Sequence, residues 1–157
     1  MNSDLRIGID FHGVITDNPV FFSKFSHLAL AKGYEIHIIS GSSSRELQNF
    51  LSRNDIPYTR IFSLLDYFEK RGLVKYENTK FTVADELWDK AKAEYCRIHK
   101  IDIQIDDTPR YAEAFSTPFC LYLPDADFCD ISGQRVIFKD SPEKTLATIE
   151  KFVRRKN

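Results

Sequence analysis

The chain has little of what braces a protein covalently or anchors it to a membrane. It holds three cysteines in 157 residues, Cys96, Cys120 and Cys129. The number is odd and no C-x-x-C spacing occurs, which speaks against a zinc or redox motif and against a disulfide framework, and fits a reducing, cytoplasmic setting. No stretch approaches the roughly 18 consecutive apolar residues of a membrane span. The opening MNSDLRIGIDF lacks a basic region followed by an apolar one, so no export signal, membrane anchor or lipidation motif is expected. An excess of charge of one sign is also missing. With 22 Lys+Arg against 23 Asp+Glu, the formal charge of −1 sets up no global field to draw nucleic acid or an anionic membrane to the surface. The 13 Phe and 7 Tyr form no basic-aromatic stripe of the kind that stacks nucleobases and are assigned to the core. Neither nucleic acid nor membrane is expected as a partner.

What is present reads as one soluble globular domain over 1–157, 43% hydrophobic and 29% charged, with no repeat, low-complexity tract or linker to divide it. The apolar run Leu5–Ile9 is a strand that stops at Asp10, and Pro19–Lys32 has helical spacing closed by Gly33. Ile36–Ile39 is a second strand ending at Ser40-Gly41, and Ser42–Asn54 the helix after it. Pro57–Phe62, then Leu64–Arg71, continue the alternation, and residues 73–83 form a small hairpin insertion. A helix over Asp85–His99 leads to the strand Ile101–Ile105, which ends in Asp106-Asp107, with a helix around Arg110–Phe115. Phe119–Leu123 and Arg135–Phe138 are further strands, and a last helix runs from Pro142 to about Arg154. Strands alternating with helices predict an α/β fold, a three-layer Rossmann-like parallel sheet with helices on both faces.

Ligands of such sheets sit beyond the carboxyl ends of the strands. Asp10, Ser40-Gly41 and Asp106-Asp107 all fall there, so they are expected to share one crevice. Facing carboxylates repel, and a hard divalent cation with oxygen ligands relieves that repulsion, Mg²⁺ by default. A cation that shields phosphate charge lets a carboxylate oxygen attack phosphorus, dividing one displacement into two. Taken alone, a strand-end Asp is a turn cap; the Asp106-Asp107 pair at the matching position gives it chemistry. Ser40 and Gly41 precede a helix, whose N-terminal N–H groups make a phosphate cradle, although Ser40, Ser42 or Ser43 could equally serve as a plain helix cap.

The string Ile7-Gly8-Ile9-Asp10-Phe11-His12-Gly13-Val14-Ile15-Thr16-Asp17 resembles the first motif of the haloacid dehalogenase (HAD) superfamily. Ile38-Ile39-Ser40-Gly41 is similar to its second motif, and Ile103-Gln104-Ile105-Asp106-Asp107 to its fourth. The resemblance implies a HAD-like fold and a phosphatase working through an aspartyl-phosphate on Asp10. It implies Mg²⁺ held by Asp10, the His12 backbone carbonyl, Asp106 and Asp107, with the phosphate bound by Ser40, Gly41 and a lysine. Lys90 and Lys92 both stand where the family has that lysine. Trp88, Ala91, Tyr95 and Ile98 mark the inward face of the helix; Lys92 lies beside that face, whereas Lys90 shares its side with Glu94 and Arg97, so Lys92 is chosen.

His12 departs from the pattern, since most phosphatases of the family carry a second Asp there as general acid and base. An imidazole can do both tasks near neutral pH. The substitution admits three readings: a working acid/base, a phosphatase restricted in rate or leaving group, or a phosphate- or nucleotide-binding protein with weak or no turnover. The gaps after the first and second motifs leave room for no large cap, so the site is expected to be open. That suits a phosphorylated macromolecular or oligomeric substrate, or a small one whose lid comes from a neighbouring subunit of a homo-oligomer. Pro124–Asp130 is read as a solvated loop and Arg154–Lys156 as a helix end. His27, His37 and His99 have no metal-ligand spacing.

Overall fold

In the computed structural model, which describes residues 4–123, 128–131, 134–138 and 141–156, the short apolar runs are strands and the periodic segments helices. Strand β1 (Arg6–Ile9) leads through a wide turn at Phe11–Ile15 into α1 (Pro19–Ala31); β2 (Glu35–Ser40), α2 (Ser44–Arg53), β3 (Arg60–Ser63) and α3 (Leu64–Lys70) follow. The antiparallel pair β4 (Lys75–Glu77) and β5 (Lys80–Thr82) is the hairpin insertion. Next come α4 (Asp85–Ile98), β6 (Ile103–Asp106), the short α5 (Pro109–Ala112) and β7 (Phe119–Leu121). A second antiparallel pair, β8 (Phe128–Ile131) and β9 (Gln134–Ile137), precedes the closing helix α6 (Pro142–Lys156).

Five parallel strands form the main sheet in the order β3-β2-β1-β6-β7. The chain leaves β1 on one side through β2 and β3, then returns to the other side for β6 and β7. That reversal lies between β1 and β6, where a parallel sheet opens a crevice at the carboxyl ends of its strands. The architecture is the expected α/β, Rossmann-like in its general plan. Ile7, Ile9, Ile36, Ile38, Ile103 and Ile105 join Phe22 and Phe25 of α1, Leu51 of α2 and Ile149 of α6 in one core. On the opposite face Ile39 packs with Leu64 and Phe68 of α3 and with Ala91, Tyr95 and Cys96 of α4. Burial on both faces explains why the strands read as nearly unbroken apolar runs.

The structure departs from the sequence reading at several points. The strand expected over Arg135–Phe138 does not join the main sheet; it is β9, paired antiparallel with β8. Of the expected loop Pro124–Asp130, residues 128–130 belong to β8, and residues 124–127 lie outside the described residues. Cys120 is disulfide-bonded, where the odd cysteine count and the lack of C-x-x-C spacing spoke against a disulfide framework. Cys96 is a free, buried thiol. Ile98, assigned to the inward face of α4, is 63% exposed because it is the last helical residue; the buried face instead takes in Lys92 and Cys96. Among the described residues no helix is long and apolar enough to cross a membrane.

Candidate active site

Asp10 is the first residue after β1, in extended backbone, and its N–H donates to the Ile105 carbonyl at 2.8 Å. Asp106 is the last residue of β6. Since Ile9 is in register with Ile105 on neighbouring parallel strands, the two carboxylates emerge side by side at the carboxyl edge of the sheet. Both are buried, at 5% and 0% exposure, and Lys92 of α4, 3% exposed, lies between them. Its Nζ donates to Asp10 Oδ1 at 2.9 Å and to Asp106 Oδ2 at 2.7 Å. Lys90 is on the outer side of α4, paired with Glu86 at 3.5 Å. The structure therefore brings Lys92, and not Lys90, to the carboxylates.

Burial pushes the Asp10 carboxyl up to about 7; the Lys92 ammonium opposes that rise and the neighbouring Asp106 adds to it. Burial works against the charge on Lys92, yet the two carboxylates hold its pKa above the ordinary lysine value. The cluster thus keeps a cation at its centre in a place where an unpaired ammonium would lose its proton.

Asp107 completes an acidic triad in which Asp10, Asp106 and Asp107 each offer a carboxylate oxygen, all within 4.8 Å of one another. An all-oxygen anionic donor set fits a hard cation such as Mg²⁺. The loop after β6 arranges these groups. Asp106 Oδ1 accepts the Thr108 N–H at 3.1 Å, Asp106 Oδ2 accepts from Gln104 Nε2 at 3.3 Å, and the Thr108 hydroxyl donates to Asp107 Oδ1 at 3.3 Å. Gly13 lets Asp107 in: its φ is +81°, and a Cβ built there would lie 2.0 Å from Asp107 Oδ2. We expect Gly13→Ala to cost roughly 1–2 kcal/mol from its left-handed backbone and to weaken Mg²⁺ binding by displacing Asp107. Thermal melting followed by calorimetric titration checks both effects.

Ser40, 1% exposed, ends β2, and its hydroxyl accepts the Ser42 N–H at 3.2 Å. The cap of α2 is Ser43, whose Oγ accepts the Glu46 N–H at 3.2 Å, so the Ser40-Gly41 turn and the helix cap are separate devices. Gly41 abuts Trp88, and a Cβ there would come within 2.6 Å of the indole. The indole N–H donates to Tyr111 Oη at 2.9 Å, and Lys92 Nζ lies 4.7 Å from the Tyr111 ring centroid. Phe81 of β5 packs on Trp88 with ring centroids 5.7 Å apart. The hairpin insertion thus contributes to an aromatic wall that runs to the crevice.

His12 stands apart from the buried cluster. Its side chain is 65% exposed, with Nε2 at 3.5 Å from Glu46 Oε1, and its ring meets Phe11 edge-on at 4.8 Å between centroids. Asp17, at the end of the same motif, accepts from Tyr122 Oη at 2.5 Å. The sequence reading missed Gln104, Thr108, Tyr111 and Glu46. Gln104 had a signal, a polar residue amid the isoleucines of a doubly buried strand; the other three are placed by contacts between elements that periodicity does not report. His37 and His99, far apart in sequence, gather around Tyr95: His37 Nδ1 is 2.7 Å from Tyr95 Oη, and the His99 and Tyr95 rings stack at 4.1 Å.

No family model matches this chain, and no curated protein matches it. Among solved structures, a glycosyltransferase from Rickettsia africae ESF-5 is similar over 78% of this chain and 30% of that one, at 14% identity and a TM-score of 0.49. The chain spans less than a third of that structure's length, and a likeness at this level says nothing about activity.

Proposed function

We propose that the chain is a HAD-like phosphatase that hydrolyses phosphate monoesters at the crevice between β1 and β6, with Asp10 as nucleophile. The observation that carries this reading is the buried lysine held between two strand-end carboxylates, with a third carboxylate completing an oxygen triad beside them. Asp10, Asp106, Asp107 and the His12 backbone carbonyl would hold Mg²⁺, which when bound shields the charge of the phosphoryl oxygens. An Asp10 oxygen attacks phosphorus, the bond from phosphorus to the ester oxygen breaks, and an aspartyl-phosphate forms. The leaving oxygen takes a proton from His12. The imidazole, now neutral, takes a proton from water as that water attacks phosphorus, the bond to Asp10 breaks, and inorganic phosphate leaves. Lys92 favours the ionised form of Asp10 against the effect of burial and offsets the negative charge that gathers in the step. Ser40, the Gly41 backbone and Lys92 bind the phosphoryl group.

The test is phosphate release from a panel of phosphomonoesters, with and without Mg²⁺. Release that depends on Mg²⁺ is expected, and no release from any ester under either condition would overturn the reading. His12 supplies a second expectation. His12→Ala should lose about 10²–10⁴-fold in kcat/KM on alkyl phosphates, the usual worth of general acid catalysis, and far less on aryl phosphates, whose leaving groups need little protonation. Equal losses on both esters would remove His12 from the proton-transfer role.

A second reading, a phosphate- or nucleotide-binding protein with weak or no turnover, draws on one observation. The His12 side chain is largely exposed and turned to Glu46. In that case the panel yields binding without release.

A further inference from the structure

Gln104 is the one amide side chain of β6, set between Ile103 and Ile105 and completely buried. It stands in register with Gly8 of β1. A Cβ built on Gly8 would lie 2.1 Å from Gln104 Oε1 and 3.0 Å from Ile39 Cδ1, so the glutamine amide fills the space that a side chain on Gly8 would take. A glycine inside a strand weakens it and marks a close approach by another group; here that group is the end of Gln104. The amide joins two partners. Its Oε1 accepts the Cys96 S–H at 3.8 Å, and its Nε2 donates to Asp106 Oδ2 at 3.3 Å. Burial pushes the Cys96 thiol up to about 12, so the sulfur keeps its proton, takes the oxygen end of the amide, and leaves the nitrogen end for Asp106. An ionised carboxylate offers about four lone-pair positions. Those of Asp106 Oδ2 are taken by Lys92 at 2.7 Å and by Gln104, and one on Oδ1 is taken by the Thr108 N–H at 3.1 Å. The position left over is on Oδ1.

We infer that Gln104 is a positioning residue for the cation: it fixes Asp106 through Oδ2 so that the remaining lone pair of Oδ1 is the one offered to Mg²⁺, and Gly8 is glycine to make room for it. The inference rests on the Mg²⁺-binding part of the reading above and extends it to two strand residues that touch neither cation nor phosphate. Without the amide, Oδ2 keeps Lys92 alone, and the carboxylate is freer to turn about its Cβ–Cγ bond and carry Oδ1 out of line with Asp10 and Asp107. Groups that orient a metal ligand in this way act on metal affinity, whereas a group that only fills space acts on stability. The two roles therefore separate in measurement.

The experiment measures Mg²⁺ dissociation constants by calorimetry on the full chain, as wild type, Gln104→Met, Gly8→Ala, Gln104→Ala and the double variant Gly8→Ala with Gln104→Ala, each first shown to melt cooperatively. Methionine keeps the length of Gln104 and removes its donor, and should raise the Mg²⁺ Kd by about 10–100-fold, the usual cost of losing a group that orients a metal ligand. Gly8→Ala reaches the same amide without altering residue 104, so it supplies the test if Gln104→Met does not fold; its methyl pushes the amide off Asp106 and should raise Kd by a similar factor. Gln104→Ala should weaken binding as Gln104→Met does, and adding Gly8→Ala to it should weaken binding no further, because no amide is left to displace. A Kd at the wild-type value in every folded variant, with only the melting temperatures lowered, overturns the inference, as does full additivity of Gly8→Ala and Gln104→Ala. Phosphate release is followed in parallel. Mg²⁺-dependent release with an unmoved Kd in the variants removes the role of Gln104 and leaves the phosphatase reading in place. Mg²⁺ binding that Gln104→Met weakens, in a wild type that releases no phosphate, does the reverse. Absence of Mg²⁺ binding by wild type overturns both.

Discussion

Asp10→Asn should abolish phosphate release, by about 10⁴-fold or more in kcat, a scale typical of removing a covalent nucleophile, while leaving the fold standing. The amide matches the carboxylate in shape and keeps an oxygen that can accept from Lys92, but it cannot attack phosphorus. Lys92 retains its partner Asp106 at 2.7 Å, so no buried charge is stranded. The variant should therefore melt within a few degrees of wild type and still bind phosphate. Activity within about tenfold of wild type in a folded Asp10→Asn protein would exclude covalent catalysis at this residue.

The largest expected effect on stability comes from Lys92→Met. In the metal-free protein the ammonium holds together two nearly completely buried carboxylates, and methionine fills much the same space without charge. Removing one partner of a buried ion pair typically costs about 3–5 kcal/mol, because the remaining charge stays out of water without compensation. Here two carboxylates are left facing each other. The sign of the pH dependence follows. The Asp10 pKa is already raised, to about 7 from 3.8, so between those values the folded state binds a proton that the unfolded state has released, and stability falls as pH rises. Without Lys92 that rise is steeper, since the group that opposed it is gone. Lys92→Met should thus be most unstable near neutral pH and should recover as pH falls toward 5. Mg²⁺ should also restore part of the loss, because the same carboxylates gain a cation. Denaturant titrations at several pH values, with and without Mg²⁺, check this. A cost that is the same at every pH would assign Lys92 to packing and not to charge.

Much of this site is legible in the sequence because strand-end chemistry is local. A β-branched run that stops at a carboxylate announces Asp10 and Asp106, and the 3.6-residue periodicity of α4 separates Lys92 from Lys90 before any contact is known. The parts that do not read out depend on where distant elements meet. Tyr111 reaches Lys92 only because α5 folds back over the start of α4, with Arg110 paired to Asp89 at 3.0 Å. Glu46 belongs to a Ser43-x-x-Glu46 string that would ordinarily form a reciprocal helix cap, yet its carboxylate turns to His12, and no local pattern encodes that choice. The strand β9 was legible as a strand but not as a hairpin partner, because alternation along a strand does not name its neighbour. The same holds for Cys120, whose disulfide no sequence spacing announces.

The central claim is that Asp10 becomes phosphorylated during turnover. The most direct test is to mix enzyme, Mg²⁺ and a hydrolysable phosphoester, quench in acid within the first turnovers, and weigh the peptide that carries Asp10. The mass of one phosphoryl group is expected on that peptide, absent without Mg²⁺ and absent in Asp10→Asn. Phosphate released at full rate with the peptide unmodified throughout, in wild type and at every quench time, would contradict it.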